Sequence, residues 1–144
     1  MLFRRFAFAA LIATATPAVA LAQSAEPPSP DLSVELNTVE DIDAGCLLTF
    51  LVSNQTGVPI ESAVYELVVF DASGSVLRLT VNDMGELPAD RHRVRRFVQP
   101  DTTCDNLGRV LINGTNACTV DGAESEICSD ALSLSSRVDV ELFR

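Results

Sequence analysis

Apolar and polar residues alternate along most of this chain, from residue 32 to its end. The longest example places every second side chain from Leu132 to Leu142 on one face, all apolar except Ser136, with Ser, Arg, Asp and Glu between them. This pattern predicts one β-strand with a single buried side. Residues 32–36 repeat the pattern and predict another strand at the start of the alternating region.

Further segments between these two have a similar character and are separated by turns containing Gly, Pro, Asn or Ser. They span residues 45–53, 63–70, 75–81, 91–99 and 109–113. Within 63–70, Glu66 marks the outer face, which predicts that Tyr65, Leu67 and Val69 face the core. No segment keeps the period of a helix for more than a turn or two. About seven strands joined by turns predict an all-β fold, an immunoglobulin-like β-sandwich.

The first 22 residues have the three parts of a secretory signal peptide. Arg4 and Arg5 provide a positive start, residues 6–19 are almost entirely apolar, and Ala20-Leu21-Ala22 forms a cleavage site. A membrane anchor is the alternative, but the apolar run falls short of the ~18–20 residues that are needed to cross a bilayer. The sequence therefore predicts a periplasmic or secreted protein that is not inserted in a membrane after the signal is removed.

On this prediction the exported chain begins at Gln23. Residues 23–30 form a Pro-rich extended leader, and residues 31–144 are enough for a single domain with its own core. Without Arg4 and Arg5 the chain has eight arginines, no lysine and 20 acidic residues, which gives a formal net charge of −12. This charge argues against nucleic acid and anionic membranes as partners and favours a cationic partner.

Four cysteines, Cys46, Cys104, Cys118 and Cys128, lie in the exported part of the chain. An even number in an exported protein predicts two disulfides. A zinc site is the alternative, but structural zinc usually uses a C-x2-4-C pair, and the closest spacing here is ten. If residues 45–53 pair antiparallel with 91–99, Cys46 comes close to Cys104. Cys118 and Cys128 then close a local loop.

One stretch of the sequence resembles a known family. Leu67-Val68-Val69-Phe70-Asp71, followed by Ser73-Gly74, is similar to the F-x-L-Y-D stretch of the bacterial extracytoplasmic domain named for that motif. The turn at Asn54 and the Leu87-Pro88 turn also resemble that family, so the likeness covers residues 45–98. The complete chain resembles exported proteins of alphaproteobacteria. The resemblance implies an immunoglobulin-like sandwich and brings no activity or catalytic residue.

The sequence predicts no catalytic, cofactor or metal site. His92 is the single histidine, and Arg91 and Arg93 beside it disfavour the protonated form that a general base must pass through. Phosphate-binding loops and metallopeptidase or serine-hydrolase motifs are absent from the sequence. The acidic segment 40–43, with Glu40, Asp41 and Asp43, leaves a calcium site as an alternative, although its spacing differs from that of an EF-hand loop.

The segment 91–96 contains four of the eight arginines of the exported chain. By alternation Arg91, Arg93 and Arg95 share one face, which makes them a candidate binding face for an anion or an acidic partner. The alternative is that these arginines pair with carboxylates such as Glu66 on a neighbouring strand.

Together these observations predict a non-enzymatic interaction module that presents loops or a sheet edge to another envelope or extracellular protein. An inhibitor of a cationic enzyme, or an adaptor for a cell-envelope protein, is a specific version of this hypothesis. A small carboxylate-based periplasmic hydrolase is the alternative function, and a deep pocket with two convergent carboxylates would favour it.

The signal peptide gives a direct test. We expect the protein recovered from the periplasm or the medium to begin at Gln23, because Ala22 completes the cleavage site. Amino-terminal sequencing checks this expectation. Residues 1–22 still present on protein extracted from membranes would contradict it.

Overall fold

The computed structural model describes residues 31–144, so the predicted signal peptide and the leader 23–30 lie outside the described residues. Its nine strands are β1 (Leu32–Ile42), β2 (Gly45–Asn54), β3 (Ser62–Asp71), β4 (Val76–Asp83), β5 (Arg91–Pro100), β6 (Leu107–Val120), β7 (Ala123–Glu124), β8 (Leu132–Ser136) and β9 (Glu141–Phe143). A 3-10 turn at Cys104–Asn106 and a one-turn helix α1 (Ile127–Asp130) complete it. Within residues 31–144 no helix is long and apolar enough to span a bilayer.

The first sheet has the strand order β5-β2-β1-β8. β2 lies antiparallel to both β1 and β5, and β8 runs parallel to β1. In the β2–β5 pair Cys46 lies opposite Gln99 and Asn54 lies opposite Arg91. The antiparallel pairing predicted for these two segments is confirmed.

The second sheet has the order β4-β3-β6-β7, with β9 added parallel to β6. β3 lies antiparallel to β4 and β6. The first, second and fifth strands therefore share one sheet and the third, fourth and sixth share the other, as in immunoglobulin-like sandwiches. The predicted all-β sandwich is confirmed.

Alternate residues of both sheets fill the layer between them, because successive side chains of a strand point to opposite faces. Phe50 of the first sheet and Tyr65 of the second are the largest fully buried side chains, and Leu67 and Val69 are buried as predicted. The Tyr65 hydroxyl donates a 2.9 Å hydrogen bond to the carbonyl oxygen of Cys128. Burial raises the pKa of Tyr65 well above its ordinary value, so this hydroxyl remains a neutral donor.

The two disulfides have the predicted pairing of Cys46 to Cys104 and Cys118 to Cys128, and the second joins β6 to α1. The first connects the start of β2 to the segment after β5. Gly45 is required at this point, because a Cβ there would lie 2.1 Å from the carbonyl oxygen of Gln99 and its φ is +132°.

The strand predicted over 132–142 is wrong in one respect, because it is divided between the two sheets. β8 pairs with β1 in the first sheet, and β9 pairs with β6 in the second. At the crossing the Ser136 hydroxyl donates to the carbonyl oxygens of Val138 and Val140. Both sheets bury every second residue in the layer between them. The alternation of apolar and polar residues therefore continues while the chain passes from one sheet to the other.

The strand predicted over 109–113 is longer than expected and continues to Val120 as β6. Asn113-Gly114-Thr115, where the predicted strand ends, lies inside this strand. The register with β3 shifts at three places, where Gly108, Asn113 and Asn116 have no residue opposite them. These bulges accommodate residues of low strand propensity without ending the pairing.

The two disulfides make unequal predicted contributions to stability. They close chain separations of 58 and 10 residues, and the chain-entropy relation gives about 4 kcal/mol for the longer loop and about 3 kcal/mol for the shorter. We therefore expect Cys46→Ala/Cys104→Ala to lower the free energy of unfolding more than Cys118→Ala/Cys128→Ala. Urea denaturation of both variants measures this difference, and the reverse order would contradict it.

Candidate interaction edge

The strand β4 has an inverted pattern of side chains for an edge strand of a sandwich. Arg78, Thr80 and Asn82 lie opposite the core residues Val69, Leu67 and Tyr65 of β3, so its polar side chains point inward. Its apolar residues Leu79 and Val81 therefore point outward and are 56% and 55% exposed. Val76 and Leu77, which are 61% and 40% exposed, lie where the register of the β3–β4 pair shifts.

The apolar surface continues from β4 onto the outer face of β3, β6 and β9. Leu79 lies opposite Val68, which in turn lies opposite Leu111. Beside this row the rings of Phe70 and Phe143 are 6.2 Å apart. The Arg109 guanidinium lies over both rings, 5.3 and 5.2 Å from their centroids. The outer face of the second sheet is thus largely apolar next to its free edge.

Within residues 31–144, β4 is the last strand of its sheet, and its backbone hydrogen-bonding groups on the side away from β3 have no strand to pair with. The Met84 amide donates to the Ala63 carbonyl at 2.8 Å, in the same register as the β3–β4 pairing. Antiparallel strands alternate the direction of these groups. The groups of Arg78, Thr80 and Asn82 therefore face β3, and those of Leu79 and Val81 face outward.

A small cavity of about 50 Å³ lies between the inner side of β4 and the end of β5. Arg78 and Gln99 line it, together with Asp101 at the exposed end. The Arg78 guanidinium donates to the carbonyl oxygen of Pro100 at 3.3 Å. Gln99 is only 2% exposed, and within residues 31–144 neither atom of its amide group has a hydrogen-bond partner.

The three arginines predicted as a binding face lie on β5, the edge strand of the first sheet. Arg93 and Arg95 lie opposite the core residues Val52 and Phe50, so both point to the inner side and are half-buried. Arg91 is exposed. Whether these residues bind a partner remains a prediction.

Hydrogen bonds from these arginines reach backbone carbonyls. Arg95 donates from Nε to Met84 and from Nη2, at 3.2 Å, to Glu86, which ties β5 to the loop after β4. The Glu66 carboxylate proposed as a partner belongs to the other sheet and accepts a hydrogen bond from Asn113.

The acidic segment 40–43 contributes to a hollow of about 790 Å³ that is open to solvent. Asp41, Asp43 and Asp101 line it, all exposed. The Asp41 carboxylate accepts a 2.7 Å hydrogen bond from the Cys104 amide. In the described part of the chain, the group of three potential metal ligands is Asp41 with Cys46 and Cys104. The two sulfur atoms are joined in a disulfide and offer no thiolate.

Comparisons with known proteins add little to this geometry. No family model matches the chain, and no curated protein is significantly similar to it. Among solved structures, a chain of the Salmonella enterica trimeric lipoprotein SadB is 17% identical, with a TM-score of 0.43. That match covers 49% of this chain and 40% of the other, and at this TM-score it supports no inference about function. The two disulfides themselves are typical of proteins outside the cytoplasm.

The position of β4 depends on the turn that connects it to β3. The Asp71 Oδ1 atom accepts a 2.6 Å hydrogen bond from the Ser73 hydroxyl and 2.9 Å bonds from the amides of Ser73 and Ser75. The Ser73 hydroxyl, followed by these amides, lowers the pKa of the Asp71 carboxyl group. The ionised carboxylate is therefore the form that holds the turn.

We expect Asp71→Ala to lower the melting temperature at neutral pH. Because the pKa of Asp71 is lowered in the folded state, its stabilisation is present above the ordinary value of 3.8 and is lost as pH falls through the lowered value. The difference in melting temperature between wild type and variant should therefore shrink in acid. The control Asp71→Asn keeps an uncharged acceptor and should lose less. A difference for Asp71→Ala that does not change with pH would contradict this role.

Proposed function

We propose that this protein is an exported, non-enzymatic interaction module that works in the periplasm or outside the cell. Its binding site is the free edge of β4, which takes an extended segment of another envelope or extracellular protein. The observation that carries the proposal is the combination of outward-facing backbone groups with an outward-facing apolar row on the same strand.

An extended peptide can bind by adding a strand to an exposed sheet edge. Its main-chain hydrogen bonds then provide the affinity, and its alternate side chains provide the specificity. On β4 the outward-facing backbone groups belong to Leu79 and Val81, whose side chains are also exposed. An added strand would pair its own apolar residues with this row and extend the apolar surface formed with Val68. Cross-strand apolar pairs of this kind stabilise antiparallel sheets.

Strand β5, at one edge of the first sheet, is less suited to an added strand. Four of the six residues from Arg91 to Arg96 on this strand are arginines. Charged side chains on an edge strand oppose pairing with another chain. β4 has a single basic residue, Arg78, and that side chain points inward.

The charge of the whole protein supports a role as an adaptor or inhibitor. The exported chain has a formal net charge of −12, which attracts cationic partners at distances beyond direct contact. Such attraction raises the association rate, while the edge strand determines the bound geometry. A basic envelope protein that offers an extended segment fits both features.

Site-specific photo-crosslinking tests the proposed site. A photoreactive residue is placed at Leu79 on β4 or at Val94 on β5, which are both 56% exposed, in cells that export the protein. We expect a discrete adduct with another protein from position 79 and none from position 94. Adducts of equal yield from both positions would contradict the proposal, and an adduct with a second copy of this chain would replace it with self-association.

Charged substitutions provide an independent check. We expect Leu79→Lys/Val81→Lys to weaken binding to the crosslinked partner about tenfold or more, because loss of a central hot-spot contact costs ~2 kcal/mol or more and ~1.4 kcal/mol is tenfold in affinity. Val94→Lys/Val98→Lys places the same charges on the exposed apolar residues of β5 and should leave binding unchanged. Both variants should keep the wild-type melting temperature, since all four side chains are at least 39% exposed.

A further inference from the structure

We infer that the strand bound by β4 carries an acidic side chain opposite Arg78, directed into the cavity that Arg78 shares with Gln99. This inference rests on the proposed function, and it specifies the chemistry of the partner. Three observations support it: a basic group on the inner side of the β4 edge, a buried amide group with no hydrogen-bond partner among residues 31–144, and a cavity between them.

The direction of the backbone groups fixes which partner residue faces Arg78. Arg78 forms its backbone hydrogen bonds toward β3, so in an added antiparallel strand it occupies a non-hydrogen-bonded pair. The side chains of such a pair lie closer together than those of hydrogen-bonded pairs and on the same face of the sheet. The residue opposite Arg78 therefore points to the inner side, toward the end of β5.

The Arg78 guanidinium has N–H groups that can donate hydrogen bonds to this residue. An arginine side chain carries five N–H groups, and within residues 31–144 we find one hydrogen bond from this guanidinium, to Pro100 at 3.3 Å. Guanidinium groups bind carboxylates in a planar, two-point geometry. An acidic side chain is thus the complement that Arg78 selects on the inner side of the edge.

Gln99 supplies the second, independent observation. Its amide group is buried and has no hydrogen-bond partner in the described part of the chain, although buried polar groups are nearly always paired. Its Nε2 group donates to carboxylate oxygens, as the guanidinium does. A carboxylate between Arg78 and Gln99 would satisfy donors on both sides of the cavity.

The cavity has the right size for such a group. A volume of about 50 Å³ corresponds to roughly three or four water-sized positions at ~10–15 Å³ each. A carboxylate group has three heavy atoms, so it fits with little space left over. Asp101 lines the exposed end of the same cavity and repels an incoming carboxylate. Its replacement by Asn should therefore strengthen the interaction.

Peptide binding measured by NMR titration tests the inference. The probe is acetyl-Lys-Val-Thr-Val-Glu-Val-Thr-Lys-amide, in which Val residues match the outer row and Glu faces inward, and the comparison peptide has Gln in place of Glu. We expect the Glu peptide to bind wild type about tenfold more tightly than the Gln peptide and to shift the side-chain amide signals of Gln99. The preference should decrease as salt rises.

Variants separate this inference from the proposed function. Arg78→Gln should abolish the preference for Glu, whereas Arg96→Gln, which removes the same charge from the exposed outer side of β5, should retain it. Asp101→Asn should increase the preference.

Equal affinity of both peptides for wild type, with both lost in Leu79→Lys/Val81→Lys, would overturn the acidic preference and leave the edge site intact. Absence of binding by either peptide at millimolar concentration would also overturn the inference. The crosslinking experiment at position 79 tests the proposed function independently of these peptides.

Discussion

The apolar layer between the two sheets determines the rest of this structure. Phe50, Tyr65 and the aliphatic residues around them come from the inner strands β1, β2, β3 and β6. The layer ends at β4 and β5, which turn Arg78 and Arg95 toward the inner side. These guanidinium groups end the apolar layer at its sides, because a charged group is costly to bury. Since side chains alternate with a period of two, a polar inner row on β4 leaves its apolar row facing solvent.

Much of the fold follows from local sequence pattern. The pairing of 45–53 with 91–99 and both disulfides could be predicted, because alternation and turn residues constrain strands that are close to regular. The sequence does not show that the segment 132–142 forms two strands, because Ser136 continues the alternation while the chain crosses from β8 to β9. The length of β6 was hidden by its bulges, because Gly and Asn are usual signals of a turn.

The candidate site was less accessible from sequence than the fold. Leu77, Leu79 and Val81 form a clear stripe in the sequence, but alternation does not say which face of a strand is buried. Arg78 within that stripe was the available signal, since an arginine opposite Val69 has to lie at the margin of the core. Its relation to Gln99 depends on how two sheets stack, and the two residues are 21 positions apart in the chain. No local pattern encodes such a contact.

The parallel pairing of β1 with β8 has a mechanical consequence. Five residue pairs, from Leu32 with Leu132 to Leu36 with Ser136, connect these strands, and β2 holds the other side of β1. A tensile force applied at the amino end of β1 is directed along the strand. It therefore loads the hydrogen bonds on both sides in shear, all at once, instead of breaking them one after another. A domain built in this way resists unfolding by a pull at that end.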